Sequence, residues 1–353
     1  MNSTLVIHLS KLDHNLNAIK RRLKPGVKRM AVVKDNAYGH GVLPIANHIK
    51  DKVDWFCVAR VGEAKQLREF GIENPILVFE APLEKTANIF LDYNLTATLS
   101  EIDSLNVLKS GTEFHINIDT GMHRLGVLPQ DVLELSAAIS KYPELKCTGI
   151  YTHYFKSDDP GNPEVKDQLE LFKSIRSQFP SEWLTHTANS GGIFHYGDLD
   201  LQFDAVRPGV CLYGYGAGEV DVPELEPILD WKSFLMQVKK VTKGESVSYG
   251  AKWIAPSDGY IGIIPSGYSD GIPRVLTNSI KLKIGEKLYD QVGTISMNYS
   301  IVFLGNDTYE KGTEVYLLKG KTLSASEWAK KANTIPYEIT TSIKERVPKE
   351  YQL

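Results

Sequence analysis

The sequence predicts an α/β protein: a (β/α)8 TIM barrel followed by a C-terminal antiparallel β-rich domain. Three observations lead there. Between residue 30 and about residue 214, eight short apolar runs alternate with charged, amphipathic stretches, the rhythm of βαβ units around a parallel sheet. After about residue 222 the texture changes to strand-like runs joined by glycine-rich turns. At 353 residues the chain is also long enough for two domains.

The N-terminal LVIHLS is strand-like and able to pair with either domain. The barrel strands are then read at MAVVK (30–34), WFCVAR (55–60), PILVF (75–79), LTATLS (95–100), EFHINID (113–119), LKCTGIYTHY (145–154), WLTHTANS (183–190) and AVRPGVCLYG (205–214). Their apolar character suits a sheet covered on both faces. Helical stretches lie between them, such as VGEAKQLREFG, stopped by its glycine, and QDVLELSAAISKYP, stopped by its proline. The barrel is assigned to residues 1–221, with pairing of residues 1–10 to the second domain left open, and the β-rich domain to residues 222–353. VPELEP forms the connection, and in the second domain only SASEWAKKA reads as a helix.

Composition narrows the function. A net charge of −3, balanced along the chain, gives no footprint for nucleic acid. No apolar run is long enough to span a bilayer, and with charges early in MNSTLVIHLSKLDHNL no signal peptide is expected there. Cys57, Cys147 and Cys211 are odd in number and widely spaced, fitting neither a disulfide framework nor a zinc site. No metal is expected, and the compartment is expected to be the reducing cytoplasm.

Chemistry concentrates at the C-terminal ends of the predicted strands, where barrel enzymes build their sites. MAVVKDNAYGHG runs a buried strand into Lys34 and a polar, glycine-punctuated loop. Alone, such a lysine fits a solvated loop entrance as well as it fits Schiff-base chemistry. It does not stand alone. DTGMHRLG carries Arg124, THY carries His153, THTANSGG carries His186, Asn189 and Ser190, and AVRPGV carries Arg207. NSGG and RPGV are small-residue loops whose amides can approach a phosphate. A lysine for an imine together with a phosphate grip points to pyridoxal 5'-phosphate.

On these residues the chain resembles the bacterial alanine racemases over nearly its whole length. VVKDNAYGHG is similar to that family's cofactor-lysine signature. DTGMHRLG, THTANSGG, VRPGVCLYG, VSYGAKW, GYSDGIPR, VGTISMN and PYEITTSIKERV follow in the family's order. The resemblance implies pyridoxal 5'-phosphate as cofactor, alanine as substrate and D-alanine for peptidoglycan as the purpose. It implies that Lys34 bears the cofactor and acts as one base, and that Tyr249 of a partner subunit is the other. Arg124 contacts the cofactor's phenolic oxygen and the substrate carboxylate, and Arg207 faces the pyridine nitrogen. Tyr38, Ser190, Gly209, Val210 and Tyr337 match phosphate-binding positions. His153 matches the histidine beside the ring and the catalytic tyrosine, and His186 the one supporting the arginine. Tyr268 and Met297 match the substrate pocket and its entrance. Because Tyr249 and Lys34 lie in different domains, a head-to-tail homodimer with shared sites is expected.

The chemistry is coherent. Racemisation removes a proton from one face of a carbon and returns one to the other, so two acid–base groups must flank it. Free lysine titrates near about 10.4, so Lys34 needs desolvation to act near neutrality. An arginine only donates, so Arg207 keeps the pyridine nitrogen unprotonated and makes the cofactor a weaker electron sink, which suits a racemase.

Three positions depart from the family pattern. Asn117 stands where many members have a carbamylated lysine that orients the arginine, so Arg124 needs another support, such as a chloride bridging amide and guanidinium. Thr294 replaces an arginine and Asn298 an aspartate near the expected entrance, which bears on substrate preference more than on reaction type. The alternatives are a racemase of serine or broad specificity and a non-catalytic barrel that binds the same cofactor. The whole second domain, with Tyr249, argues against the latter. A related decarboxylase is disfavoured because Arg207 stands where a carboxylate is expected.

Overall fold

The computed structural model describes residues 2–218 and 220–353. Strand β1 (Thr4–His8) leads into helix α1 (Leu9–Arg22). Eight strands follow: β2 (Lys28–Val32), β3 (Trp55–Val58), β4 (Ile76–Val78), β5 (Ala97–Leu99), β6 (Glu113–Asn117), β7 (Lys146–Tyr151), β8 (Leu184–His186) and β9 (Ala205–Val206). They form one parallel sheet in the order β4-β3-β2-β9-β8-β7-β6-β5. A parallel bridge between Leu77 and Thr96 joins its two ends, with the Thr96 amide donating to Ile76 O at 2.9 Å. The barrel is closed.

Each predicted run holds a strand, but several strands are shorter than their runs. β9 stops before Pro208, which has no N–H to continue the ladder. The Pro208 carbonyl instead accepts from Val32 N at 2.9 Å, and Val210–Tyr213 winds into a 3-10 turn. NSGG is likewise not a free loop. Asn189 caps a short helix, Ser190–His195, accepting from Gly192 N at 3.0 Å.

The second region carries β10 (Leu229–Phe234), β11 (Gln237–Val241), β12 (Gly259–Ile264), β13 (Lys281–Ile284), β14 (Lys287–Asp290), β15 (Ser300–Gly305), β16 (Glu314–Leu318) and β17 (Lys349–Gln352). One sheet runs β14-β13-β16-β10-β1-β17 and another β11-β12-β15. β1 pairs antiparallel with β10 and parallel with β17, so the first strand of the chain lies in the second region's sheet. Leu5 and Ile7 are fully buried there, and Trp231 of β10 packs 6.1 Å from Trp328. SASEWAKKA is helical as expected, with Ser324 as its cap. Pro336–Ser342 is a further helix. Its β-branched run Ile339, Thr340, Thr341 hides it from a propensity reading, while Pro336 at the first helical position starts it.

The segment after Lys34 departs most from expectation. Asp35, Asn36, Ala37 and Tyr38 have φ of 51°, 54°, 54° and 53°, one turn of left-handed helix rather than an open loop. Each such residue costs about 1–2 kcal/mol relative to right-handed backbone. Several contacts hold the turn. Ala37 N donates to Val33 O at 3.0 Å and Gly39 N to Asp35 O at 3.0 Å, while the Asn36 side chain accepts from Val42 N at 2.8 Å. From the other side, Gly39 lies so close to the Pro336–Ser342 helix that a Cβ would sit 2.3 Å from Thr340 O. Tyr351 of β17 donates its hydroxyl to His40 O at 3.0 Å. The two glycines of YGHG are there to let the second region seat against the lysine turn.

Candidate active site

The C-terminal mouth of the barrel opens into a cavity of about 560 Å³. Lys34, Tyr38, Asn117, Arg124, His153, Ser190, Arg207, Gly209, Val210 and Tyr337 all line it, although they come from six separate parts of the chain. Lys34 enters two residues beyond β2. Burial holds its amine below the usual lysine range, helped by Arg124 and opposed by Asp35 and Glu63. Its Nζ lies 5.9 Å from the centre of the Tyr38 ring.

Arg207 follows β9 directly and is buried. Nη1 donates to His186 Nδ1 and to His186 O, both at 2.7 Å; Nη2 donates to Thr152 O at 2.8 Å and Thr187 O at 3.0 Å. Among the described residues this leaves Nε without a partner, on a residue that lines the cavity. The charge is desolvated, and the carbonyl oxygens around it compensate. The Tyr151 ring lies 5.0 Å beneath the guanidinium and stacks on His186 at 4.7 Å.

Below His186 the chain of contacts continues. His186 Nε2 meets His115 Nδ1 at 2.9 Å. Burial and Arg207 push His115 down to about 3 and hold His186 well below the usual histidine range. Both rings are therefore neutral. His153, partly buried, is kept neutral by desolvation and by the three cations Arg207, Arg124 and Lys34. His115 and Tyr151 were not among the residues singled out from sequence. The available signal was Gly149 in the neighbouring strand, where a Cβ would lie 2.6 Å from the His115 ring.

At the opposite wall Ser190 Oγ accepts from Gly209 N at 3.0 Å and Cys211 N at 3.4 Å, tying the two small-residue segments together. Gly209 must be glycine: a Cβ would meet the Tyr38 hydroxyl at 2.7 Å. Gly191 and Val210 stand in the first turns of their helices, where backbone amides have no partner within the helix. Tyr337 reaches this wall from the second region, its ring 6.2 Å from that of Tyr38.

Arg124 is exposed at the rim, on a loop held at its base. Asn117 Nδ2 donates to Leu125 O at 2.7 Å, and Asp119 Oδ1 accepts from Gly121 N at 2.9 Å and His123 N at 3.0 Å. The amide that replaces the expected lysine thus grips the backbone next to the arginine.

Tyr249, Tyr268 and Met297 do not line the cavity. They stand on linked loops of the second region, with Tyr249 71 % and Met297 54 % exposed. Tyr268 N donates to Ser296 O at 3.1 Å and Ser269 N to Met297 O at 3.0 Å. Thr294 is buried beneath them, and Asn298 Nδ2 donates to Ser269 Oγ at 3.1 Å. Among the described residues there is no cluster of side chains suited to a metal ion, and no helix long and apolar enough to cross a membrane.

Residues 7–217 match the family described as alanine racemase, N-terminal domain, and residues 228–351 match alanine racemase, C-terminal domain. An alanine racemase of Treponema denticola is 32 % identical over 98 % of this chain and 96 % of its own. The structure of an alanine racemase of Clostridium difficile 630 superposes with a TM-score of 0.92 at 29 % identity, covering 100 % of this chain and 96 % of that one. Another, from Bartonella henselae with covalently bound pyridoxal phosphate, gives 0.90 at 26 % identity, each chain covered completely.

Proposed function

The chain belongs to the alanine racemase family, and from that premise we propose that it is a pyridoxal 5'-phosphate-dependent alanine racemase that interconverts L- and D-alanine. One observation carries the reading: a desolvated amine, Lys34, and a buried arginine, Arg207, with its Nε unpartnered among the described residues, share a single cavity.

The residues fit the cofactor. The Gly209 cradle, which a Cβ would fill, and the helix-start amides beside Ser190 suit a phosphate, with Tyr38, Val210 and Tyr337 around it. Arg207 Nε suits a ring nitrogen that accepts. Bound there, pyridoxal phosphate supplies the electron withdrawal that makes the substrate Cα–H acidic. Lys34 would hold the cofactor in the resting enzyme and, once substrate has displaced it, its free amine in this desolvated setting would take or return the proton on one face of Cα. Arg124 holds the substrate carboxylate. His186 orients Arg207, and neutral His153 lies beside the reacting centre.

The second face needs a second base, and the carboxylates that also line the cavity are engaged with backbone amides: Glu80 accepts from Val61 N, and Asp119 from Gly121 N and His123 N. Tyr249, with Tyr268 and Met297 near it, is exposed on the other region. We therefore assign a head-to-tail homodimer in which Tyr249 of one copy completes the site of the other, with Tyr268 and Met297 forming the entrance. The division between domains is placed at 221/222, with β1 contributed to the second. The absence of paired cysteines among the described residues suits a cytoplasmic enzyme that supplies D-alanine for the cell wall.

Mixing Lys34→Ala and Tyr249→Ala chains tests the whole arrangement. Each variant alone is inactive. Random reassociation makes hybrids with one intact site, restoring about a quarter of wild-type activity. Activity that stays at zero after exchange overturns the shared site. A panel of L-amino acids in which alanine is a poor substrate overturns the substrate assignment.

A further inference from the structure

Tyr249 projects from backbone that does not hold itself. Ser248 has φ 67°, Gly250 73° and Ala251 48°, so the tyrosine is flanked on both sides by left-handed residues. Non-glycine residues keep such conformations only where their surroundings over-determine them. The phenol contributes nothing, since it has no hydrogen-bond partner among the described residues and is mostly exposed.

What fixes the turn is Thr294, which is only 3 % exposed. Its hydroxyl donates to the Tyr249 carbonyl at 2.6 Å, and the Ser248 hydroxyl donates back to the Thr294 carbonyl at 2.6 Å. Two antiparallel bonds thus grip the base-bearing residue and the one before it. The close approach depends on Gly293, φ 71°, where a Cβ would sit 2.6 Å from Val247 O. Behind it, Asn278 accepts from Gly293 N at 2.6 Å and donates to Lys252 O at 3.1 Å, so the far side of the turn is tied to the same support. Gln291, 1 % exposed, donates to Gly293 O at 2.7 Å and accepts from Asn278 N at 2.8 Å.

We infer that Thr294 is a positioning residue for catalysis: its hydroxyl sets the backbone from which Tyr249 reaches the substrate carbon in a second copy of the chain. The inference rests on the reading of Tyr249 as the second base. A long side chain amplifies errors at its root, and a tilt of about 10° at Cα carries the phenol oxygen roughly 1 Å, enough to lose most of its rate contribution. Valine at 294 keeps the shape and loses the donor; serine keeps the donor.

The test measures kcat and the primary isotope effect with Cα-deuterated L- and D-alanine separately, on Thr294→Val, Thr294→Ser, Ser248→Ala and Tyr249→Phe holoenzymes. Each base serves one face, so a misplaced Tyr249 slows proton transfer for the enantiomer it deprotonates. The expected result for Thr294→Val is a fall in kcat of about tenfold or more, with a raised isotope effect for one enantiomer only. Thr294→Ser is expected to stay within about threefold of wild type, and Ser248→Ala to repeat the one-sided isotope effect. Equal losses in the valine and serine variants with both isotope effects unchanged mean a packing role, and overturn the inference. So does a valine variant indistinguishable from wild type. If Thr294→Val does not fold, an unchanged Ser248→Ala enzyme overturns it. Full activity in Tyr249→Phe overturns instead the reading on which it stands.

Discussion

Arg207 donates through Nη1 to Nδ1 of His186 at 2.7 Å, and that bond fixes the protonation of both histidines below it. Arginine has no acceptor, so His186 Nδ1 must be bare and its proton must sit on Nε2. That proton points at His115 Nδ1, which must accept, leaving the His115 proton on its own Nε2. The result is a one-way line of donors running down the barrel.

Nitrogen-15 NMR of the imidazoles should therefore find both His186 and His115 as Nε2–H tautomers at neutral pH. Replacing His186 by leucine leaves a buried Arg207 donor without its acceptor, with an expected loss of about 1–3 kcal/mol in urea unfolding. A Nδ1–H tautomer at either residue contradicts the arrangement.

The buried histidines also set the acid limit of the protein. An unfolded histidine takes a proton below about 6.5. Folded His40 resists until about 4 and His115 until about 3, both because of burial. His153 and His186 shift in the same direction. Between those values and 6.5 the unfolded chain binds more protons, so stability is complete above about pH 6.5 and falls as the pH drops toward 4. His40 and His115 are each expected to remove roughly 2–3 kcal/mol by about pH 4.5. Urea midpoints measured across this range check it, and a flat profile excludes it.

Asn117 bears on substrate binding through the backbone. Its amide grips Leu125 O beside Arg124, so Asn117→Ala frees the arginine loop without touching the lysine. The Michaelis constant for alanine should rise about tenfold, with a smaller change in kcat, because the loss falls on the group that holds the carboxylate. Steady-state kinetics decide it: an unchanged Michaelis constant shows that the loop holds without the amide.

Gly39 is the contact point between the lysine turn and the Pro336–Ser342 helix. Gly39→Ala adds a Cβ 2.3 Å from Thr340 O at a φ of 86°, combining overpacking with left-handed strain. A loss of about 2–4 kcal/mol in unfolding free energy is expected, together with weaker pyridoxal phosphate affinity as Tyr337 moves. Gly71→Ala, also at positive φ but with open space around it, carries only the strain and serves as the comparison.

Much of this was legible in the residues. The eight apolar runs located every barrel strand because burial on both faces leaves them mostly apolar, even though Thr98, His115, Thr185 and His186 lie within them. Lys34, Arg124, His153 and Arg207 stood out as charge or imidazole at strand ends. What stayed hidden depends on three-dimensional neighbours. The left-handed turn at 35–38 carries no glycine to announce it, since its support comes from Glu63, Asn36 and the distant C-terminal helix. His115 looks like an ordinary strand residue until Gly149 and His186 are beside it. Thr294 read as a neutralised entrance position, whereas its burial and its bond to Tyr249 emerge only from the folded loops.

The placement of β1 has a consequence for how the molecule is born. Thr4–His8 leaves the ribosome ahead of the barrel, yet Leu229–Phe234 and Lys349–Gln352 must be synthesised before it has both neighbours. Throughout translation of the barrel, a strand bearing Leu5, Val6 and Ile7 waits with open edges on both sides. A gene cut at the domain boundary would strand it permanently, yielding a barrel with a sticky extra strand and a second half without the strand that joins β10 to β17. The two halves are distinct in architecture but inseparable in assembly, and a strand made late closes the structure beside one made early.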